Sequence, residues 1–401
     1  MTEAPEVPLQ YQRTRLDPSA ALLRARDEVG VTPAVTPFGA PAHLVSRYAD
    51  VRGVLADTTR YSNAYDQLAT GDDDGVVLSE AEVGRLRAGN LVVHDPPDHT
   101  RLRRILMPEF TVRRMRRLEP RITRIVEDAL DAMQRAGRPA DLVAGFALPV
   151  PSLVICELLG VPYDERDEFQ ARSRAVLDSS RPPRERAAGQ LDMRRYLRSL
   201  VERAQADPGE DILGMLVREH GDEVSTDELA GIATLLLVAG HETTANMIGL
   251  ATVALLRHPD QLARVRDDPD ALVPAIEELL RWLAIVPFPS IRRTRTDVEI
   301  AGRRIAAGEH VVVSLSAANR DPVLIDDPDR LDITRGAPGH LAFGYGVHHC
   351  LGAPLARLEL RVALPALLRR FPDLALAVPF ENLRYRTMSI VYGLVELPVT
   401  W

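Results

Sequence analysis

The sequence predicts a mostly α-helical protein with a small β part. Apolar residues recur at helical spacing over residues 100–256. Alternation typical of strands is confined to residues 43–46 and 297–315, and a turn at Gly302 interrupts the second stretch. Proline and glycine are spread along the chain without a linker-like cluster, and no repeat stands out. We therefore expect residues 1–401 to form a single domain.

Charge and cysteine content narrow the class of protein. The net charge of −8 disfavours nucleic acid as a partner, and the two cysteines, Cys156 and Cys350, are too few for a disulfide framework. Residues 1–16 lack the apolar segment that directs secretion, and the longest apolar run, residues 235–239, is too short to cross a membrane. We expect a cytoplasmic monomer that binds neither nucleic acid nor membranes.

Residues 101–124 are strongly basic. They contain nine arginines against Glu109 and Glu119, a local excess of seven positive charges. Two interpretations remain open for this segment. Exposed helices often carry such charge because it is solvated, but a basic patch can also dock an acidic protein.

One helix is predicted to be unusually long. Ser225 and Glu228 have the spacing of a capping box, the apolar pattern continues past Leu250, and His258-Pro259 ends it. At 1.5 Å per residue, such a helix spans roughly 50 Å and would cross the whole domain. Its middle, AGHETT at residues 239–244, interrupts the apolar pattern with groups that are costly to bury, which indicates a function.

The most specific segment of the sequence is FGYGVHHCLG at residues 343–352. Its three glycines allow a tight bend that brings backbone N–H groups near a sulfur, and an amphipathic helix follows. Cys350 therefore lies at a helix N-terminus, where the helix dipole and N–H donors favour a thiolate. A thiolate in that position suits an axial ligand of iron.

This segment resembles the cysteine-ligand loop of the cytochrome P450 family, whose pattern F-G-x-G-x-H-x-C-x-G it matches at every fixed position. A lone cysteine beside a glycine turn would otherwise be a buried structural residue. The resemblance implies a P450 fold with a long central helix over haem b, and Cys350 as the iron ligand. It also places Phe343, His348 and Gly352 in the cofactor-binding loop.

The interrupted helix resembles the oxygen-activation motif of the same family. The resemblance implies that Ala239 and Gly240 border the cofactor and let the helix open, that Glu242 relays protons, and that Thr243 supports dioxygen. A hydroxyl bonded to a carbonyl one turn back loosens the helical ladder and makes such room. A zinc motif is excluded, because H-E-x-x-H would need its second histidine where Ala245 stands.

Haem propionates need cations. His99 and Arg103 are four residues apart on a helix that is predicted to begin after two prolines, so they share one face. The segment is similar to the propionate-binding helix of the family. The same comparison adds His348 and Arg292, with Arg293 as the alternative to Arg292.

Glu278 and Arg281 match the E-x-x-R motif of the family, at a spacing that places both charges on one helix face. An isolated pair of this kind would be an ordinary surface pair, whereas the resemblance implies a buried structural pair. Arg330 resembles the third member of that cluster, although Leu331 stands where the family commonly has phenylalanine.

The segments that border the haem in this family contain leucine, valine, isoleucine and Phe288 here, and we expect few of their charges to be buried. They are residues 72–93, 176–189, 236–244, 286–291 and 389–391. This composition favours a large apolar ligand. The positions expected to line the substrate pocket are Val93, Leu236, Ala239, Thr244, Val286, Phe288 and Ile390.

The sequence is most similar in appearance to actinomycete P450 enzymes that hydroxylate or epoxidise macrolides and other secondary metabolites. It carries no flavin or nicotinamide fingerprint, so a ferredoxin and a ferredoxin reductase are expected to supply electrons. Three alternatives remain: a P450 that hydroxylates xenobiotics or terpenoids, a peroxide-driven haem-thiolate enzyme, and a non-catalytic recruitment module. The intact Glu242-Thr243 pair favours a monooxygenase that uses O2.

Overall fold

The computed structural model describes residues 7–36, 39–64, 84–85, 87–177, 183–287, 291–387, 389 and 391–401. Helices account for most of these residues, as the sequence predicts. In chain order the α-helices are α1 Ala20–Glu28, α2 Tyr48–Ala56, α3 Asp98–Leu106, α4 Val112–Arg116, α5 Glu119–Ala136, α6 Pro149–Leu159, α7 Arg166–Leu177, α8 Pro183–Ala206, α9 Ile212–His220, α10 Thr226–Leu256, α11 Pro259–Asp267, α12 Leu272–Leu283, α13 Leu315–Ala318 and α14 Ala353–Arg370.

The strands are short and form one larger sheet and several small ones. They are β1 Arg13–Thr14, β2 Asp17–Pro18, β3 Val31–Val35, β4 Pro41–Val45, β5 Tyr61–Ser62, β6 Ala140–Asp141, β7 Ile291–Thr294, β8 Val298–Ile300, β9 Arg303–Ile305, β10 His310–Val313, β11 Ala375–Leu376, β12 Tyr385–Arg386, β13 Gly393–Leu394 and β14 Pro398–Thr400. The larger sheet has the order β3-β4-β10-β7-β5, and only β4 and β10 run parallel in it.

The two predicted strand regions are confirmed, but the strands outside them were not predicted, and β3 is the longest of these. Residues 41–45 form β4, and the region from 297 onward resolves into β8, β9 and β10, with Gly302 at a φ of 75° in the turn. The sequence analysis missed β3. Pro33 lies within that strand and breaks the usual signal. It is tolerated because β3 is the edge strand of the sheet.

Helix α10 is the long helix that the sequence predicts. Ser225 accepts from the N–H of Glu228, and the Glu228 side chain accepts from the N–H of Ser225, so the predicted capping box is present. The helix has 31 residues, and α6, α8, α12 and α14 pack around it. Most of its side chains after His241 are buried in the principal core, which makes α10 the centre of the helical layer.

Within the described residues, no helix combines the length and the apolar character needed to span a bilayer.

Candidate functional site

The cysteine loop lies between α13 and α14. A short 3-10 helix, Gly346–His348, turns the chain, the N–H of Cys350 donates to the Phe343 carbonyl at 2.9 Å, and α14 begins three residues later. Gly346 has a φ of 74°, and a Cβ there would lie 2.6 Å from the Leu55 carbonyl oxygen. Glycine is therefore required at this position on both conformational and steric grounds.

Cys350 presents a thiol at the N-terminal end of α14. The residue is exposed, yet protein atoms surround its sulfur closely enough that burial raises the pKa of the thiol. The backbone N–H of Gly352 and the charge of Arg103 act in the opposite direction, followed by Arg357 and the N–H of Ala353. Such donors and cations stabilise a thiolate that serves as a metal ligand.

His99 and His348 meet on one side of this loop. Their ring centroids are 4.2 Å apart, and none of their ring nitrogens has a hydrogen-bond partner among the described residues. Burial, with the charges of Arg103 and Arg292 acting in the same direction, lowers the pKa of His99 to about 4 and that of His348 to about 3. Two buried imidazoles beside two guanidinium groups form a donor set that fits the carboxylates of a haem.

The structure distinguishes Arg292 from Arg293. Arg292 is buried in β7, at 3% exposure, and acts on the pKa values of both histidines. Arg293 is exposed, and its Nε donates to the Gly308 carbonyl at 3.1 Å. Neighbouring strand residues point to opposite faces, so Arg292 is the arginine of this cluster.

Arg103 connects α3 to the cysteine loop. Its Nη2 donates to the carbonyl of His349 at 2.8 Å, directly before the cysteine, and burial lowers its pKa. His99 contacts His348 and Arg103 contacts His349, so both side chains reach the cysteine loop, as expected for residues on one face of α3.

The middle of α10 carries an acid and an alcohol at adjacent positions. The Thr243 hydroxyl donates to the Ala239 carbonyl at 2.7 Å, one turn back. Glu242 accepts a 2.7 Å hydrogen bond from Nη1 of Arg386. Burial raises the pKa of the Glu242 carboxyl, whereas Arg386 lowers it.

Gly240 has a packing role in the structure. The helix remains α-helical through residues 239–244, so no opening of α10 accompanies the glycine. A Cβ at Gly240 would lie 2.6 Å from Cδ1 of Ile155 on α6. The glycine allows α6 to approach α10 closely at the level of Glu242.

Glu278 and Arg281 form a pair with no solvent exposure. Nε and Nη2 of Arg281 donate to the Glu278 carboxylate at 2.7 and 2.8 Å. Nη1 donates to the carbonyls of Asn319 and Pro328, each at 2.8 Å, and Glu278 also accepts from the N–H of Asp332. The pair therefore holds the segment between α13 and the cysteine loop against α12.

The prediction that Arg330 is the third member of this cluster is wrong. Its side chain is 64% exposed and pairs with Asp327 and Asp332 at the surface. The buried arginine nearest in sequence is Arg320, whose guanidinium donates to the Trp282 carbonyl and to Asp17 and Asp329. The NRDP segment at residues 319–322 carries no spacing signal that distinguishes it from a surface turn.

The predicted substrate-pocket positions differ in their surroundings. Val93, Leu236 and Val286 are half-buried and Ala239 is exposed. Thr244 is only 4% exposed and lies about 140° around the helix from Ala239. It therefore faces the core, contrary to the prediction. Phe288 and Ile390 lie outside the described residues, as do most of residues 72–93 and parts of 176–189, 286–291 and 389–391.

Two contacts of the site were missed by sequence reasoning. Arg386 reaches Glu242 from 144 residues away, and no local pattern marks it. Arg357 on α14 donates two hydrogen bonds of 2.7 Å to Glu277, and its guanidinium lies over the Phe343 ring. The sequence did contain one signal for the second contact. Glu278 serves the E-x-x-R pair, so the neighbouring acid Glu277 is left to pair with a different cation.

Comparison with known proteins agrees with this geometry. The cytochrome P450 family model matches residues 198–375. Cytochrome P450 FAS1 of Rhodococcoides fascians is 53% identical over 401 residues, covering 100% of both chains. Vitamin D(3) 25-hydroxylase of Pseudonocardia autotrophica is 44% identical over 386 residues, 96% of this chain and 93% of the relative.

Solved structures agree as well. The P450 StaH, from the biosynthesis of a glycopeptide antibiotic, superposes with a TM-score of 0.88 at 45% identity, covering 98% of this chain and 100% of that chain. Sequence identity at this level over the full length establishes the family. The chain therefore belongs to the cytochrome P450 family, as a monooxygenase that binds haem b.

Proposed function

We propose that this P450 inserts one oxygen atom from O2 into a large apolar small molecule, with a macrolide or another polyketide of secondary metabolism as the candidate class. The observation that carries the proposal is the middle of α10. Val238 is 44% exposed and Ala239 is exposed, although most side chains on either side along this central helix are buried. Apolar groups exposed on an interior helix border a binding space for an apolar ligand.

Different residues of the site would bind the iron and the propionates of the cofactor. Cys350 would hold the iron, and His99, Arg103, Arg292 and His348 would hold the propionates. Haem b with a thiolate ligand supplies the activation of dioxygen. The protein supplies binding, orientation and control of protons.

Glu242 and Thr243 would control protons at the distal face. The Glu242 carboxylate can take a proton from solvent at Oε and pass it inward, as a general acid and base does. The Thr243 hydroxyl oxygen keeps a free lone pair while its proton is directed to the Ala239 carbonyl. This arrangement gives the site a proton acceptor and a polar oxygen beside otherwise apolar walls.

A spectral and isotopic screen tests the substrate class. Macrolides and other polyketides are added to the ferric protein, and a shift of the haem to high spin reports binding. A ligand that binds is then turned over under ¹⁸O2 with a ferredoxin system. We expect one ¹⁸O atom in the product. A product without the label would refute oxygen insertion from O2.

The alternatives give other outcomes in the same screen. High-spin shifts with terpenoids or synthetic compounds, and none with polyketides, would replace the substrate class. Turnover with hydrogen peroxide alone, and none with O2 and reductant, would identify a peroxide-driven enzyme. Binding without turnover under either condition would favour a recruitment module.

We further propose that the basic segment docks an acidic ferredoxin. Helix α4 packs on α14, the helix that Cys350 precedes, and Arg113 and Arg116 on α4 are exposed. Met107 and Val112 beside them are 53% and 54% exposed. Charge surrounding exposed apolar side chains is typical of a protein-docking surface.

Charge reversal tests this docking surface. Arg113→Glu and Arg116→Glu should slow reduction by ferredoxin, most strongly at low salt, while substrate affinity stays unchanged. Arg195→Glu is the control, because Arg195 is also exposed but lies on α8, which packs on α7 and α10. Unchanged reduction kinetics in both α4 variants would refute the proposed surface.

A further inference from the structure

Glu242, the acid of the oxygen-activation segment, is held by a residue from the C-terminal hairpin, which consists of the antiparallel pair β12 and β13. Nη1 of Arg386 on β12 lies 2.7 Å from Oε1 of Glu242, and the two side chains are 21% and 15% exposed. A partly buried pair of this kind is less screened by solvent than a surface ion pair. The contact therefore bears directly on the state of the Glu242 carboxylate.

The arginine is fixed on the hairpin rather than free to follow the acid. Its Nε donates to the Leu394 carbonyl on β13 at 3.1 Å, and its backbone pairs with Gly393. The Tyr385 and Tyr392 rings stack with centroids 5.6 Å apart, and the Tyr392 hydroxyl donates to the Arg15 carbonyl. The hydrogen bonds and the stacked rings of the hairpin therefore hold the Arg386 guanidinium toward Glu242.

The hairpin also docks on the next turn of α10. A Cβ at Gly393 would lie 1.7 Å from Oδ1 of Asn246, so only glycine fits there. Nδ2 of Asn246 in turn donates to the backbone carbonyl of Glu242 at 2.8 Å. The hairpin therefore contacts α10 at two positions one helical turn apart, Glu242 and Asn246, and the second contact fixes the distance between Arg386 and Glu242.

Among the described residues, Arg386 is the only charged group that acts on the pKa of Glu242. Burial raises the pKa of the Glu242 carboxyl above its usual value, and Arg386 opposes this rise without cancelling it. Tyr385, the titratable neighbour on the same strand, has a pKa raised to about 12 and stays neutral. Arg384 and Glu396 pair with each other at the surface of the hairpin.

We propose that Arg386 is the positioning residue of the Glu242 proton relay: its guanidinium keeps Glu242 a carboxylate and fixes the direction in which the carboxylate points. An ionised Glu242 can accept one proton from solvent and release one proton inward, and it returns to its starting state. A neutral Glu242 could not accept the next proton. The hairpin thereby sets the protonation state of a group on the central helix.

The direct test is infrared spectroscopy of the resting ferric protein. Burial raises the pKa of Glu359 to about 8, so the parent spectrum already contains a protonated carboxyl at pH 7. Arg386→Gln should add a second carbonyl band of this kind, and Arg386→Gln/Glu242→Gln should lack the added band. Arg386→Lys keeps the charge and should resemble the parent protein. The matched control is Arg384→Gln, which removes an exposed arginine from the same hairpin and should add no band.

Turnover provides a second readout. Arg386→Gln should lower the rate of product formation at pH 7 by roughly tenfold to a hundredfold, less than the roughly 10²- to 10⁴-fold effect of losing a general acid or base altogether, because Glu242 itself remains. The rate should recover as the pH rises, because the carboxyl then ionises without its partner. In the Glu242→Gln background, removal of Arg386 should have little further effect on the rate.

Two results would overturn the proposal. One is a parent protein that already shows a protonated carboxyl band at pH 7 which Glu242→Gln abolishes, a measurement that holds even if Arg386→Gln does not fold. The other is an Arg386→Gln variant with the parent pH profile and no new band, because a merely structural arginine would give that outcome.

Discussion

The Arg357 guanidinium lies over the Phe343 ring, with its central carbon 4.6 Å from the ring centroid. The same guanidinium donates two hydrogen bonds of 2.7 Å to Glu277 on α12. Phe343 accepts the N–H of Cys350 through its carbonyl. A cation–π contact and a bidentate ion pair thus connect α12, α14 and the cysteine loop.

The pH dependence of stability should report this network. Hydrogen bonds from Arg357 and His340, against an opposing effect of burial, lower the pKa of Glu277 to about 2 from 4.5. A depressed carboxyl pKa stabilises the folded state above pH 4.5, and this stabilisation is lost as the pH falls toward 2. Its magnitude is on the order of 3 kcal/mol, at 1.36 kcal/mol per unit of pKa.

Chemical denaturation of the parent protein and of Glu277→Gln checks this expectation. The parent should be the more stable at pH 6, and the difference in the free energy of unfolding should narrow by roughly half at pH 3. A difference that stays constant over this range would contradict a depressed Glu277 pKa.

The buried pair on α12 should be far more sensitive than the exposed arginine that resembles its third member. Glu278→Ala leaves Arg281 as an uncompensated charge at 0% exposure, which should cost about 3–5 kcal/mol of unfolding free energy. Arg330→Ala should change it by less than about 0.5 kcal/mol, because that side chain is 64% exposed. Equal losses in both variants would restore Arg330 to the cluster.

The close approach of α6 to α10 can be measured by a double-mutant cycle. Gly240→Ala gains helix propensity but forces a methyl group against Cδ1 of Ile155, and it should destabilise the protein by about 1–2 kcal/mol. Ile155→Val removes that Cδ1 atom. In the Ile155→Val background, Gly240→Ala should leave the free energy of unfolding unchanged or increase it. If the two substitutions instead change the free energy of unfolding in urea additively, the two residues do not collide.

The rate of haem loss should distinguish the role of Arg292 from that of Arg293. Arg292→Gln removes a buried cation beside His99 and His348, so haem should transfer to an acceptor apoprotein about tenfold faster. Arg293→Gln should change the transfer rate by less than about twofold, since its side chain is exposed and bonded to Gly308. The reverse order of rates would assign the propionate contact to Arg293.

Local sequence signals predicted the elements whose cause is local. The capping box of Ser225 and Glu228, the glycine-bent loop before Cys350 and the turn at Gly302 are all where their spacing places them. Such features depend on backbone conformation and on neighbours within a few residues. They can therefore be predicted from the sequence without knowledge of the tertiary structure.

Features set by tertiary packing were missed or misassigned. Arg330 has the spacing of a cluster member but faces solvent, whereas Arg320 is buried by Trp282 and Asp17. Thr244 belongs to a functional segment but points into the core. The partner of Glu242, Arg386, lies 144 residues later, near the C-terminal end of the chain. No periodicity encodes such long-range choices.

The absence of a side chain at position 393 constrains how this enzyme can vary. Because Gly393 sits directly against Asn246, any side chain at position 393 demands a smaller residue at position 246, whereas a residue bulkier than asparagine at 246 finds no side chain at 393 that could shrink. A C-terminal segment with a residue larger than glycine at this position therefore cannot replace this one unless position 246 changes with it. Chimeras and mutational libraries should treat positions 246 and 393 as one linked unit, and covariation between them is expected wherever functional variants are selected.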